Sequence, residues 1–161
     1  MEANIGILLE HQGAVFLLAG VLAVLAWGFC IRRIRLTAHT LVMIALMIAF
    51  TALLKEVRIY HFPQGGSVTL GSMIPLLLLS HCYGARVGML AGFLYGLLLI
   101  LQDPFILHPV QVLFDYFLPG MMVGLAGLFP SRKILISAVG VFVGKFFCHF
   151  ISGVVFFSSG A

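Results

Sequence analysis

Uninterrupted apolar runs constrain this chain more than any other feature. Residues 13–31 contain no charged side chain, and residues 134–157 contain a single lysine, Lys145. A bilayer core takes about 20 consecutive apolar residues per helical span. Within lipid, only a helix or a closed barrel satisfies its own backbone. Barrel strands alternate apolar and polar residues, whereas these runs are continuous. Composition agrees, with 62% hydrophobic and 9% charged residues among 161. The expectation is an all-α, multi-pass integral membrane protein.

Further spans are expected over 37–54, 84–101 and 109–129, the last starting on Pro109, a residue suited to a first helical turn. Residues 68–80 read as a short or broken helix because Pro75 lies inside them. Tyr60–Ser67 reads as a loop from its Pro and Gly content. Arg32, Arg33, Arg35, Arg86, Arg132 and Lys133 fall on one face when the spans alternate. The positive-inside rule makes that face cytoplasmic and the N-terminus extracellular, with Lys55 and Arg58 as exceptions. The net charge of +4 is then topology rather than a nucleic-acid footprint. No secretory leader is expected, because the first run is long enough to span and ends in Arg32-Arg33. Gly84, Gly88, Gly92 and Gly96 recur every four residues, a ridge that allows close helix approach. Ala45 and Ala49 form a smaller version, open to packing within the chain or to docking on a partner.

The chemistry carried by the chain is sparse. Cys30, Cys82 and Cys148 lie far apart and read as packing thiols. No hydrolytic, redox or nucleotide motif is present, so no catalytic residue, metal site or cofactor is expected. Asp115 stands out, an acid inside a long apolar run. Placing a charge at membrane depth costs roughly 2.5–3.5 kcal/mol, and such residues face a protein interior or wet cavity. The charge topology puts Asp115 a few residues into a helix that starts on the extracellular side. One reading makes it a buried bridge to Lys145. A second gathers His108, Asp115 and His149 as a metal or proton-relay set. A third makes it the anion of a cage for a heteroaromatic cation, with Tyr116, Tyr95, His149 and Phe157 at the same depth. Lys145, His149, Gly153 and Phe157 recur at spacing four and could line such a cavity.

Four ordered stretches carry a resemblance: Gly65–Pro75, His108–Tyr116, Gly124–Phe129 and Lys145–Gly153. From about Leu36 to Phe157 the chain resembles the thiamine-specific substrate-binding (S) components of energy-coupling-factor (ECF) transporters, the ThiT family. The resemblance implies an S-component helical bundle in a bacterial plasma membrane. It implies thiamine as ligand, captured with high affinity from outside, and no enzymatic activity. It also implies an ECF transmembrane scaffold subunit and two cytoplasmic ATPase subunits as partners, with no role for nucleic acid. By motif, Asp115 stands at the family's pocket acid, Tyr116 at the following aromatic, His149 and Lys145 at its histidine and lysine. Gly153 closes the last motif, and Tyr95 and Phe157 stand where a tryptophan occurs. Ala45 and Ala49 resemble the motif that docks on the scaffold, and Tyr60, His61 and Phe62 fall in the loop corresponding to its lid. S components for another vitamin or a thiamine precursor, and a purely structural membrane protein, remain alternative readings. Two departures are expected from the family pattern. Residues 1–35 supply an additional N-terminal span and basic linker. The S-component-like domain, residues 36–161, ends before the family's last helix, which carries further ligand contacts.

Overall fold

Thr37 opens the first well-defined helix. Its Oγ1 accepts the backbone N–H of Thr40 at 3.2 Å, satisfying one of the donors a helix start leaves open. The helix it caps, α1 (Ala38–Glu56), coincides with the span expected over 37–54. A computed structural model describes residues 20–22, 25, 28, 34, 36–61, 67–69, 71–102, 104 and 109–154. After α1 come β1 (Arg58–His61), β2 (Ser67–Thr69), α2 (Ile74–Tyr83) and α3 (Ala85–Gln102). A rod over residues 109–128 follows, made of α4 (Pro109–Val112), a π-helical turn (Leu113–Phe117), α5 (Leu118–Gly124) and a 3-10 turn (Leu125–Leu128). The last helix is α6 (Ile134–Ser152). The helices α1, α3 and α6 are each long and apolar enough to cross a membrane.

One expectation needs correction. The stretch Tyr60–Ser67 is not loop throughout. β1 pairs antiparallel with β2, Tyr60 opposite Val68 and His61 opposite Ser67, with an irregularity between Arg58 and Tyr60. Of the short or broken helix expected over 68–80, the short one is present as α2, and Pro75 does not break it. It occupies the first turn of α2, where its missing N–H had no partner to lose. Most of the span expected over 13–31 lies outside the described residues. Gly20 within it is helical and buried, against the side chains of Leu113 and Phe114.

The rod leans on α3 through glycines. A Cβ on Gly92 would strike the carbonyl of Gly120, and one on Gly120 would strike the carbonyl of Gly92. A Cβ on Gly96 would come 2.6 Å from the Tyr116 carbonyl oxygen. A Cβ on Gly88 would strike the Ser80 side chain and come 3.0 Å from the Gly124 Cα. The expected ridge is therefore real at Gly88, Gly92 and Gly96, and backbone meets backbone along it. Gly84 is not part of it. With φ of 86° it turns the chain between α2 and α3, and nothing lies within 4 Å of where its Cβ would be.

One end of the bundle is tied by side chains. Ser80 Oγ donates to the Gly124 carbonyl and accepts the Gly127 N–H at 2.9 Å. Ser137 Oγ lies 3.0 Å from His81 Nε2 and donates to the Ile134 carbonyl at 2.8 Å. Ser137 has only one proton to give, so His81 Nε2 must be the donor in their bond. Tyr83 and His39 meet at 3.4 Å, which brings the start of α1 to the same end. Arg86, Arg132 and Lys133 are exposed beside this end, as the charge topology anticipates for three of its basic residues.

Candidate functional site

Asp115 sits at the opposite end, in the middle of the π-helical turn Leu113–Phe117. The Leu118 N–H reaches back five residues to the Leu113 carbonyl, the wider bond that defines such a turn. A π turn inserts one extra residue into a helix and re-aims the side chains around it, and such insertions recur at functional sites. The close approach of Gly96 to Tyr116 sets α3 directly against this turn.

The Asp115 carboxylate is held at both oxygens. Gln111 Nε2 donates to Oδ2 at 3.0 Å. His149 Nδ1 lies 3.1 Å from Oδ1, so that nitrogen carries the proton and donates. The three side chains grade outward. Gln111 is 1% exposed, while the side chains of Asp115 and His149 are 19% and 45% exposed. An ionised carboxylate accepts about four hydrogen bonds. Two donors from the protein leave Asp115 with accepting capacity to spare.

Two buried hydroxyls join this end. Tyr95 is 1% exposed and Ser152 0% exposed, and neither hydroxyl has a partner among the described residues. Burying a hydroxyl without a hydrogen bond costs about 1–3 kcal/mol on protein scales. Tyr95 immediately precedes Gly96 on α3, and Ser152 lies one turn beyond His149 on α6. The Tyr116 ring is buried as well. Acid, imidazole, phenol and hydroxyl thus cluster at one end of an otherwise apolar bundle.

The family model described as Thiamine transporter protein (Thia_YuaJ) matches residues 41–161. The chain belongs to this family. It is also similar to the thiamine transporter ThiT of Bacillus subtilis (strain 168), with 37% identity over 139 residues, covering 75% of this chain and 72% of that protein. The match begins inside α1 and runs through every element that builds the end described above.

Within this thiamine transporter family member, the residues singled out from sequence fall in several places. Asp115, His149, Tyr116 and Tyr95 occupy the described end of the bundle, and Asp115 and His149 touch. Gly153 lies just past α6, with open space where its Cβ would be. Ala45 and Ala49 are exposed on α1, among the exposed Leu41, Val42, Leu46 and Leu53. Tyr60 and His61 belong to β1, whereas Phe62, His108 and Phe157 lie outside the described residues. The bridge between Asp115 and Lys145 is not formed. Lys145 makes no hydrogen bond or ion pair among the described residues, and the acid is engaged by Gln111 and His149 instead. Of the metal or relay set, only the Asp115–His149 contact can be described. Gln111 and Ser152 were missed. Gln111 carries a signal, a polar residue four positions before the acid on a helix. Ser152, one small polar residue in an apolar run, carries none.

Proposed function

We propose that this membrane-embedded chain is the thiamine-capturing subunit of an ATP-driven vitamin importer of the ECF type. Thiamine joins a permanently cationic thiazolium ring to an aminopyrimidine. An anion beside aromatic faces suits the first part, and buried hydrogen-bonding groups suit the second. Asp115 takes the cationic ring, with Tyr116, Tyr95 and Phe157 supplying aromatic surface. A cation over such a face gains about 2 kcal/mol or more when desolvated. His149, Lys145 and Gly153 complete the pocket. The observation that carries this reading is the Asp115 carboxylate, oriented by two donors, in a member of the thiamine transporter family.

The remaining roles follow the same reading. The pocket opens to the outside of a bacterial plasma membrane, because Arg86, Arg132 and Lys133 mark the other end as cytoplasmic. The segment that carries Tyr60, His61 and Phe62 covers the pocket. The face around Ala45 and Ala49 docks on the transmembrane scaffold subunit, which works with two cytoplasmic ATPases. Residues 1–35 form an added span with an extracellular N-terminus, and residues 36–161 form the S-component domain. The chain itself catalyses no reaction.

Calorimetric titration of the detergent-solubilised protein with thiamine tests this. Asp115→Asn should weaken binding by about 30- to 100-fold, the equivalent of roughly 2–3 kcal/mol for a lost charge-assisted contact. Equal affinity in wild type and variant would remove Asp115 from the ligand. Competition with the separate pyrimidine and thiazole halves then shows which part of the molecule the site selects.

A further inference from the structure

We propose that Gln111 is a positioning residue that makes the site selective for a cation, a role that rests on Asp115 being the ligand's anion. The amide lies deeper than any other polar group of the cluster whose partner is known, 1% exposed in the wall formed by α4 and the π turn. Its Nε2 reaches Asp115 Oδ2 at 3.0 Å, while His149 holds Oδ1 at 3.1 Å. Gripped at both oxygens, the carboxylate has one plane, and its unused lone pairs have one direction.

The type of donor matters as much as its place. A buried lysine or arginine at position 111 would orient the acid equally well. It would also form an ion pair and cancel the charge that a cationic ligand needs. A primary amide donates through a hydrogen that carries no net charge. Gln111 therefore fixes the geometry of Asp115 and leaves its charge unspent. His149 Nδ1 holds the other oxygen from the exposed side. Lys145, the cation that could compensate the acid from α6, makes no ion pair with it. The arrangement is that of an oriented acid that no lysine or arginine pairs with among the described residues.

This separates Gln111 from a residue that merely packs. The test uses the whole chain in detergent and two probes, thiamine and its uncharged isostere in which a thiophene replaces the thiazolium. Gln111→Met keeps the length of the side chain and loses the donor. Gln111→Asn keeps the amide and withdraws it by one methylene. Both variants should bind thiamine roughly tenfold more weakly, the scale of a hydrogen bond to a charged group, and bind the uncharged isostere within about twofold of wild type. The preference for the cation should thus collapse. Equal losses for both probes, in whichever variant folds, overturn the proposal and leave Gln111 a packing residue. A wild-type chain that binds the two probes alike overturns the reading of Asp115 itself, and this one with it.

Discussion

The two ends of the bundle treat their polar groups in opposite ways. At the basic end, Ser80 both donates to Gly124 and accepts from Gly127, and Ser137 is shared between His81 and the Ile134 carbonyl. Hydrogen-bonding capacity there is spent on tying α2 to the rod and to α6, with His81 Nδ1 as the exception. At the acidic end, Asp115 retains lone pairs, and Tyr95 and Ser152 hold buried hydroxyls with no partner among the described residues. A bundle this apolar gains little from burying polar groups unless they are satisfied. The saturated end reads as scaffold and the unsaturated end as a place prepared for something else.

The largest effect should come from the seam that keeps the two ends in register. Gly92→Val sets a branched side chain against the backbone of Gly120, and backbone cannot move aside as a side chain can. A loss above about 4 kcal/mol is expected, visible as aggregation on size-exclusion chromatography in detergent. A folded, monodisperse variant would mean that α3 and α5 can part without harm, and that the seam does not place Tyr116 and Asp115.

Ser80→Ala should act next in size. It strips the Gly124 carbonyl and the Gly127 N–H of their side-chain partner in a buried setting, which costs about 1–3 kcal/mol. Thermal denaturation should show the loss, and the ratio of affinities for thiamine and its uncharged isostere should not change. A change in that ratio would show that the basic end also shapes the ligand site.

Much of this division was legible in the sequence, and the gaps have physical causes. The spans over 37–54 and 84–101 emerged because apolar length is a strong signal, and Thr37 supplies a conventional cap. The strands flanking residues 62–66 did not, since three or four residues beside Pro and Gly carry no readable alternation. The π turn was invisible because its extra residue shifts a face, and in a run apolar on all sides no face is marked. Asp115 and His149 were found by charge in an apolar run and by motif. Gln111 is marked in the sequence only by its spacing of four from Asp115, a weaker sign than a lone acid in an apolar run. Spacing alone puts Gly84 on the ridge, whereas its positive φ places it in a turn.

The smallest effect is the sharpest probe of the contrast, because it reverses the sign seen at the other end. Tyr95→Phe removes a hydroxyl that is buried and has no partner among the described residues. Without ligand, the variant should be as stable as wild type or more so, by up to about 1 kcal/mol, since the cost of desolvating the hydroxyl disappears. If thiamine supplies the partner this hydroxyl lacks, affinity for thiamine should fall several-fold. Ligand stabilises a protein in proportion to the logarithm of its concentration over Kd. Melting curves at a fixed thiamine concentration should therefore cross over: the variant melts higher alone and gains less from thiamine. If Tyr95→Phe lowers the melting temperature in the absence of ligand, as Ser80→Ala is expected to, then the Tyr95 hydroxyl is bonded within the protein and belongs to the scaffold.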